Sequence, residues 1–243
     1  MSDGNQSVTS PAASINADHF LRADAGRLRE WTAHSQADLV RFCALAIVTG
    51  AGLYGAVMGC WRAPLQAFYV AIKLPLLIFL TALGNGLLNG MLAPLLGVNL
   101  SFRQSLTAVL VSFALASSIL GALSPVALFV IWNLPPFTNL TLPTSPDYAL
   151  LQLMLVVFIA FAGVIANVRL LPLLWQFASS LTIARNVLFA WLIGNLFLGS
   201  QLCWVLRPFI WEANSPVTFL GSDPLRGSFY ETVFEATRRV IFQ

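Results

Sequence analysis

Residues 106–132 read LTAVLVSFALASSILGALSPVALFVIW, a run without a single Asp, Glu, Lys, Arg or His. A hydrocarbon core of about 30 Å is crossed by about 20 helical residues, so this run is long enough to span one. Lipid offers no water to a backbone N–H or C=O, and a segment this apolar must therefore close its own hydrogen bonds as a helix. Four further apolar stretches lie between Arg41 and Arg207, and only Arg62, Lys73, Arg103, Asp147, Arg169 and Arg185 interrupt the set. The expected fold is all-α: a polytopic transmembrane helical bundle of five crossings with amphipathic terminal helices.

Composition points the same way. Hydrophobic residues make up 58% of the 243 and charged residues 9%, whereas a soluble domain carries about 25% charged. Net charge is +3, and the 13 Lys and Arg occur singly or in pairs. That pattern has no basic stripe of the kind nucleic acid needs. Cys43, Cys60 and Cys203 show no C-x-x-C spacing, so neither a disulfide framework nor a zinc site is expected, and each reads as a small packing residue.

Outward from the central run, the chain divides into four parts. Residues 1–16, MSDGNQSVTSPAASIN, hold too little apolar surface to offset the entropy of ordering them and form a disordered leader. The start lacks an apolar core and a basic region, so no cleaved signal peptide is expected and the first crossing targets the chain. Over residues 17–40, Phe20, Leu21, Leu28 and Trp31 would gather on one side of a helix against Arg22, Arg27, Arg29 and Glu30, an interfacial pattern. The transmembrane domain follows over 41–208, and residues 209–243 form an extramembrane tail.

Within the membrane domain the first crossing covers 42–60 and ends on Trp61 and Arg62, an aromatic and a cation at headgroup depth. Its Ala51, Gly55 and Gly59, four apart, let another helix approach closely. The second apolar stretch, 64–97, is too long for one upright helix. Either 64–72 is interfacial, with Lys73 snorkelling at the membrane edge and 74–96 crossing, or Gly84-Asn85-Gly86 breaks the helix inside the bilayer as in substrate-binding segments of transporters. Ser101-Phe102-Arg103-Gln104 is a capping box that starts the third crossing. After Trp132 a proline-rich loop without Lys or Arg carries the signature of the non-cytoplasmic side and includes the sequon Asn139-Leu140-Thr141.

The fourth crossing covers 148–168, residues 170–184 suit a segment in the membrane plane, and the fifth crossing covers 186–206. In the tail, Ser228-Phe229-Tyr230-Glu231 forms a second capping box. Phe229, Val233, Val240 and Ile241, with Glu231, Glu235, Arg238 and Arg239 interleaved, predict a short amphipathic helix. With the amino terminus inside, Arg22, Arg27, Arg29, Arg41, Arg103, Arg169 and Arg185 are cytoplasmic, against Arg62, Lys73, Arg207, Arg226, Arg238 and Arg239 outside. The cation-free loop and the four Arg before the first crossing favour that orientation over its reverse.

Groups that could do chemistry are scarce. His19 and His34 both precede the first crossing, all ten carboxylates lie in the tails or at helix ends, and no H-E-x-x-H, G-x-S-x-G or phosphate-binding loop occurs. The chain is read as no enzyme, with no catalytic residue, cofactor or metal. Lys73, Asn85, Asn89, Asn167, Asn195 and Gln201 are the polar groups entering the membrane. Amides there serve as glue between helices at about 0.6–2 kcal/mol each. Alternatively, Asn85, Asn89 and Lys73 line a path for a small solute. Near the last crossing, Gln201-x-x-Trp204-x-x-Arg207-Pro208 places three long side chains on one stripe, as an interfacial anchor or as a clasp that docks the tail.

Two resemblances accompany these readings. Lys73-Leu74-Pro75-Leu76-Leu77, with Gly199-Ser200-Gln201-Leu202-Cys203-Trp204-Val205-Leu206-Arg207-Pro208-Phe209 and Phe229-Tyr230-Glu231, resembles a family of uncharacterised bacterial multipass membrane proteins. That resemblance implies a bacterial cytoplasmic membrane and no known activity. In layout, a leader and five crossings, the chain is also similar to Yip-type proteins, which bind small GTPases and shape membranes. Their Asp-Leu-Tyr-Gly-Pro motif is absent, since Gly52-Leu53-Tyr54-Gly55 lies inside a crossing. The expected partners are the bilayer and either a membrane-protein partner or a second copy of the chain, with no nucleic acid. The expected role is a non-enzymatic organiser of a membrane complex or of the membrane itself, and the rival is a transporter or channel.

Overall fold

The computed structural model describes residues 36–95, 102–134, 146–177, 180–207, 209, 217–221, 225 and 227–242. Seven helices and no strand occur among them: α1 Gln36–Cys60, α2 Pro64–Leu95, α3 Phe102–Asn133, α4 Pro146–Val168, α5 Leu171–Phe177, α6 Leu181–Val205 and α7 Phe229–Phe242. Five of these, α1, α2, α3, α4 and α6, are long and apolar enough to cross a membrane. The leader 1–16, the stripe Phe20, Leu21, Leu28 and Trp31, the cap Ser101, the sequon at Asn139, and Pro208 lie outside the described residues.

Helix α1 packs chiefly on α2 and α3. Leu39, Cys43, Ile47, Ala51 and Tyr54, spaced at three or four residues, are all fully buried, and the Tyr54 hydroxyl donates to the Leu155 carbonyl of α4 at 3.2 Å. The expected small-residue face exists. A β-carbon on Gly55 would come within 2.5 Å of the Val70 carbonyl, and one on Gly59 within 2.6 Å of the Gln66 carbonyl. Only glycine permits α1 and α2 to touch backbone to backbone there, which van der Waals packing in lipid rewards. The chain turns between them through Trp61, Arg62 and Ala63, and the Arg62 and Ala63 amides both donate to the Gly59 carbonyl. The amino-terminal boundary differs from expectation: α1 begins at Gln36 rather than 42, because Leu39 and Cys43 already face the core.

The second stretch differs as well. Helix α2 runs unbroken for 32 residues, so neither an interfacial helix over 64–72 nor a break at Gly84-Asn85-Gly86 forms. Lys73 does not snorkel; it is fully buried. The physical reason lies in what the glycines receive. A β-carbon on Gly84 would overlap the Leu198 side chain of α6, and one on Gly86 the Leu106 side chain of α3. They are holes for leucine knobs, and α2 keeps its backbone hydrogen bonds through them.

Helix α3 starts where the expected capping box at Ser101 puts it, whereas α4 and α6 start earlier than expected, at Pro146 and Leu181. Helix α3 spans Phe102–Asn133 with Pro125 inside. The Oγ atoms of Ser117, Ser118 and Ser124 donate to the carbonyls four residues back, so these hydroxyls are satisfied without water. Helix α6 begins at Leu181 because Ser180 caps it, its Oγ accepting from the Ile183 amide. The segment expected to lie in the membrane plane contains the short α5, joined to α4 through Arg169 and Leu170. Cys43 is buried and Cys203 half-buried, whereas Cys60 is exposed, so the packing role assigned to the cysteines does not extend to Cys60.

Candidate functional site

Lys73 and Asn85, the buried lysine and amide of α2, stand in two separate places. The two are 12 positions apart on one helix, about 18 Å along the axis at about 1.5 Å per residue. They cannot share one site. The side chain of Asn89 lies outside the described residues.

Asn85 belongs to a chain of amides across three helices. Its Nδ2 donates to Asn195 Oδ1 of α6. Asn195 Nδ2 donates to Asn167 Oδ1 of α4 at 3.2 Å, and Asn167 Nδ2 donates to the Gly163 carbonyl at 2.8 Å. Asn85 and Asn167 are buried and Asn195 is half-buried. In hydrocarbon the alternative to each of these bonds is an unsatisfied amide, so the chain ties α2, α6 and α4 at one level of the bundle. Among the described residues Asn85 Oδ1 has no hydrogen-bond partner. It lies against Gly194, where a β-carbon would be 3.2 Å away. The sequence singled out all three amides but not their pairing, which depends on helix rotation.

Lys73 sits nearer the start of α2, under the returning tail. Its Nζ lies 5.0 Å from the Phe219 ring centre and 5.7 Å from that of Phe209, within reach of the negative ring faces. One turn away, Tyr69 meets Phe219 edge to face at 5.5 Å. Gln66 Nε2 donates to the Phe209 carbonyl at 2.9 Å. Pro75 is buried and faces α1, its Cγ being 3.9 Å from where a Gly52 β-carbon would stand. Phe209 entered the sequence reading only as the end of a quoted motif, and Gln66 and Phe219 did not enter it, because neither a loop aromatic nor a single helical glutamine carries a periodic signal.

At the end of α6 the spacing of Trp204 and Arg207 does produce a contact. The guanidinium lies 3.9 Å from the Trp204 ring centre, and Arg207 Nη1 donates to the Trp204 carbonyl at 3.3 Å. The tail then returns: the Gly221 amide donates to the Arg207 carbonyl at 3.1 Å. Gly227, at φ +80°, passes so close to the indole that a β-carbon would meet Trp204 Cζ2 at 2.8 Å. That conformation and that clearance both call for glycine. Gln201, on the same stripe, is half-buried. The expected capping box closes α7, with the Ser228 amide donating to Glu231 Oε2 at 3.2 Å and the Glu231 amide to Ser228 Oγ at 3.3 Å. Among the described residues no cluster of three or more His, Cys, Asp or Glu is placed to hold a metal ion.

The chain matches no protein-family model, no curated protein and no solved structure, so a functional reading rests on its own residues.

Proposed function

We propose that this chain is a non-enzymatic integral membrane protein that organises a membrane complex or the membrane itself. One observation carries the reading: the amides of Asn85, Asn195 and Asn167 are engaged with one another across α2, α6 and α4. A solute path needs polar groups directed at a solute, whereas these hold helices together. Lys73 is likewise occupied by the tail, under Phe209 and Phe219. The partner is a membrane protein or a second copy of the chain. The amino terminus is cytoplasmic and the tail lies on the opposite side of a bacterial cytoplasmic membrane, which the cation-free loop after Trp132 and the motif resemblance support.

The transporter reading keeps one observation in its favour, the buried Asn85 Oδ1 without a hydrogen-bond partner among the described residues. Co-purification separates the two. Extraction into lipid nanodiscs without detergent should recover a recurrent membrane-protein partner or a multimer of the chain. Recovery of a lone monomer in repeated preparations would overturn the organising reading.

A further inference from the structure

We infer that α7 is a membrane-docked helix, seated against the bundle on one side and in lipid on another. The carrying observation is a division of its surface into three sectors. Successive helical residues turn by about 100°, so Ala236, Phe229 and Val233 share one side. Ala236 is 2% exposed and the other two are half-buried, which is the side packed on α4 and α6. Tyr230, Phe234 and Ile241 fall within about 40° of one another on a second side. They are 44%, 70% and 66% exposed. Glu231, Glu235 and Arg238 form a third, also exposed, and it lies beyond the apolar sector as seen from the bundle.

A helix surrounded by water would not place a large aromatic and an isoleucine in the open between its packed face and its charges. A helix at the edge of a bilayer has to present this order: protein, then acyl chains, then headgroups and water. The exposed apolar sector also continues a surface that lipid already covers. The Tyr230 and Ser200 hydroxyls share a hydrogen bond of 2.9 Å, and Leu196 and Phe197, one turn before Ser200 on α6, are 60% and 61% exposed on a membrane-spanning helix. The occupant is therefore the leaflet on the side where α6 ends, with Phe234 and Ile241 among the upper acyl carbons. Glu231, Glu235 and Arg238 carry both signs, so the docking is apolar and does not require an anionic lipid. The inference needs only the transmembrane placement of α6 and stands whether or not the organising role is right.

Single cysteines at 231, 234, 235, 238 and 241 in the full-length, otherwise cysteine-free chain can be spin-labelled and reconstituted in phosphatidylcholine vesicles. Labels at Leu196 and at Leu225, 83% exposed in the tail, give the lipid and water references. At 234 and 241, collision with oxygen should exceed collision with a water-soluble nickel chelate by about as much as at 196. At 231, 235 and 238 the order should reverse, as at 225. Nickel collision at 234 and 241 equal to that at 235 would place the sector in water and overturn the inference. Low collision with both reagents there would overturn it in favour of a second copy or another protein. Because two positions report the sector, a label that disturbs one leaves the other to decide.

Discussion

Gly50 of α1 and Gly121 of α3 cross so closely that a β-carbon on Gly121 would stand 3.0 Å from the Gly50 Cα, while one on Gly50 would overlap the Ser117 carbonyl. Backbone meets backbone here, and no side chain can move aside. Gly163 of α4 is the natural control, with nothing among the described residues within 4 Å of its added β-carbon. Gly50→Ala should cost about 1–3 kcal/mol of stability, the range for overpacking a close contact. Gly163→Ala should be neutral or slightly stabilising. Thermal unfolding in detergent, followed by loss of the monodisperse peak, reads both, and equal melting of the two variants would contradict the crossing.

The amide chain makes a second prediction. Asn85→Ala and Asn195→Ala should each destabilise the bundle, and the double variant should cost less than their sum. A coupling of about 0.6–1.7 kcal/mol is the range measured for hydrogen bonds between membrane helices. A double-mutant cycle of unfolding in denaturing detergent measures it. Strict additivity would mean that the two amides act independently.

A third concerns the clasp at Arg207. Lysine keeps the charge at headgroup depth but has neither the flat guanidinium that stacks on Trp204 nor its fixed fork of donors. Arg207→Lys should leave membrane insertion unchanged while limited proteolysis cuts the tail after residue 209 several-fold faster. Cleavage at the wild-type rate would reduce Arg207 to an interfacial anchor.

Orientation is testable with single cysteines in a cysteine-free background. Five crossings put the start of α1 and the end of α6 on opposite sides. A cysteine at Leu225 should react with an impermeant thiol reagent applied to intact cells and one at Ser7 should not. The reverse pattern would invert the proposed topology.

The sequence made the five crossings legible because runs such as 106–132 leave no other solution in lipid. The tight α1–α2 contact was also legible, since Gly55 and Gly59 repeat at the interval at which a helix returns to the same face. The second capping box was readable because Ser228 and Glu231 stand at the one spacing that allows the reciprocal bonds. Three things were not. The continuity of α2 depends on Leu198 and Leu106 filling its glycine notches, and those leucines come from other helices. The burial of Lys73 depends on Phe209 and Phe219, which reach it only after the chain has crossed the membrane and folded back. The pairing of Asn85 with Asn195 depends on two helices 110 residues apart in sequence being rotated toward each other.

On the proposed function, the polar groups inside the bundle join helices and do not conduct. Purified protein in liposomes, assayed for ionic current and for efflux of entrapped small solutes, tests it most directly. Rates indistinguishable from those of empty vesicles are expected. Selective flux through the wild-type chain, abolished by Asn85→Ala, would contradict it.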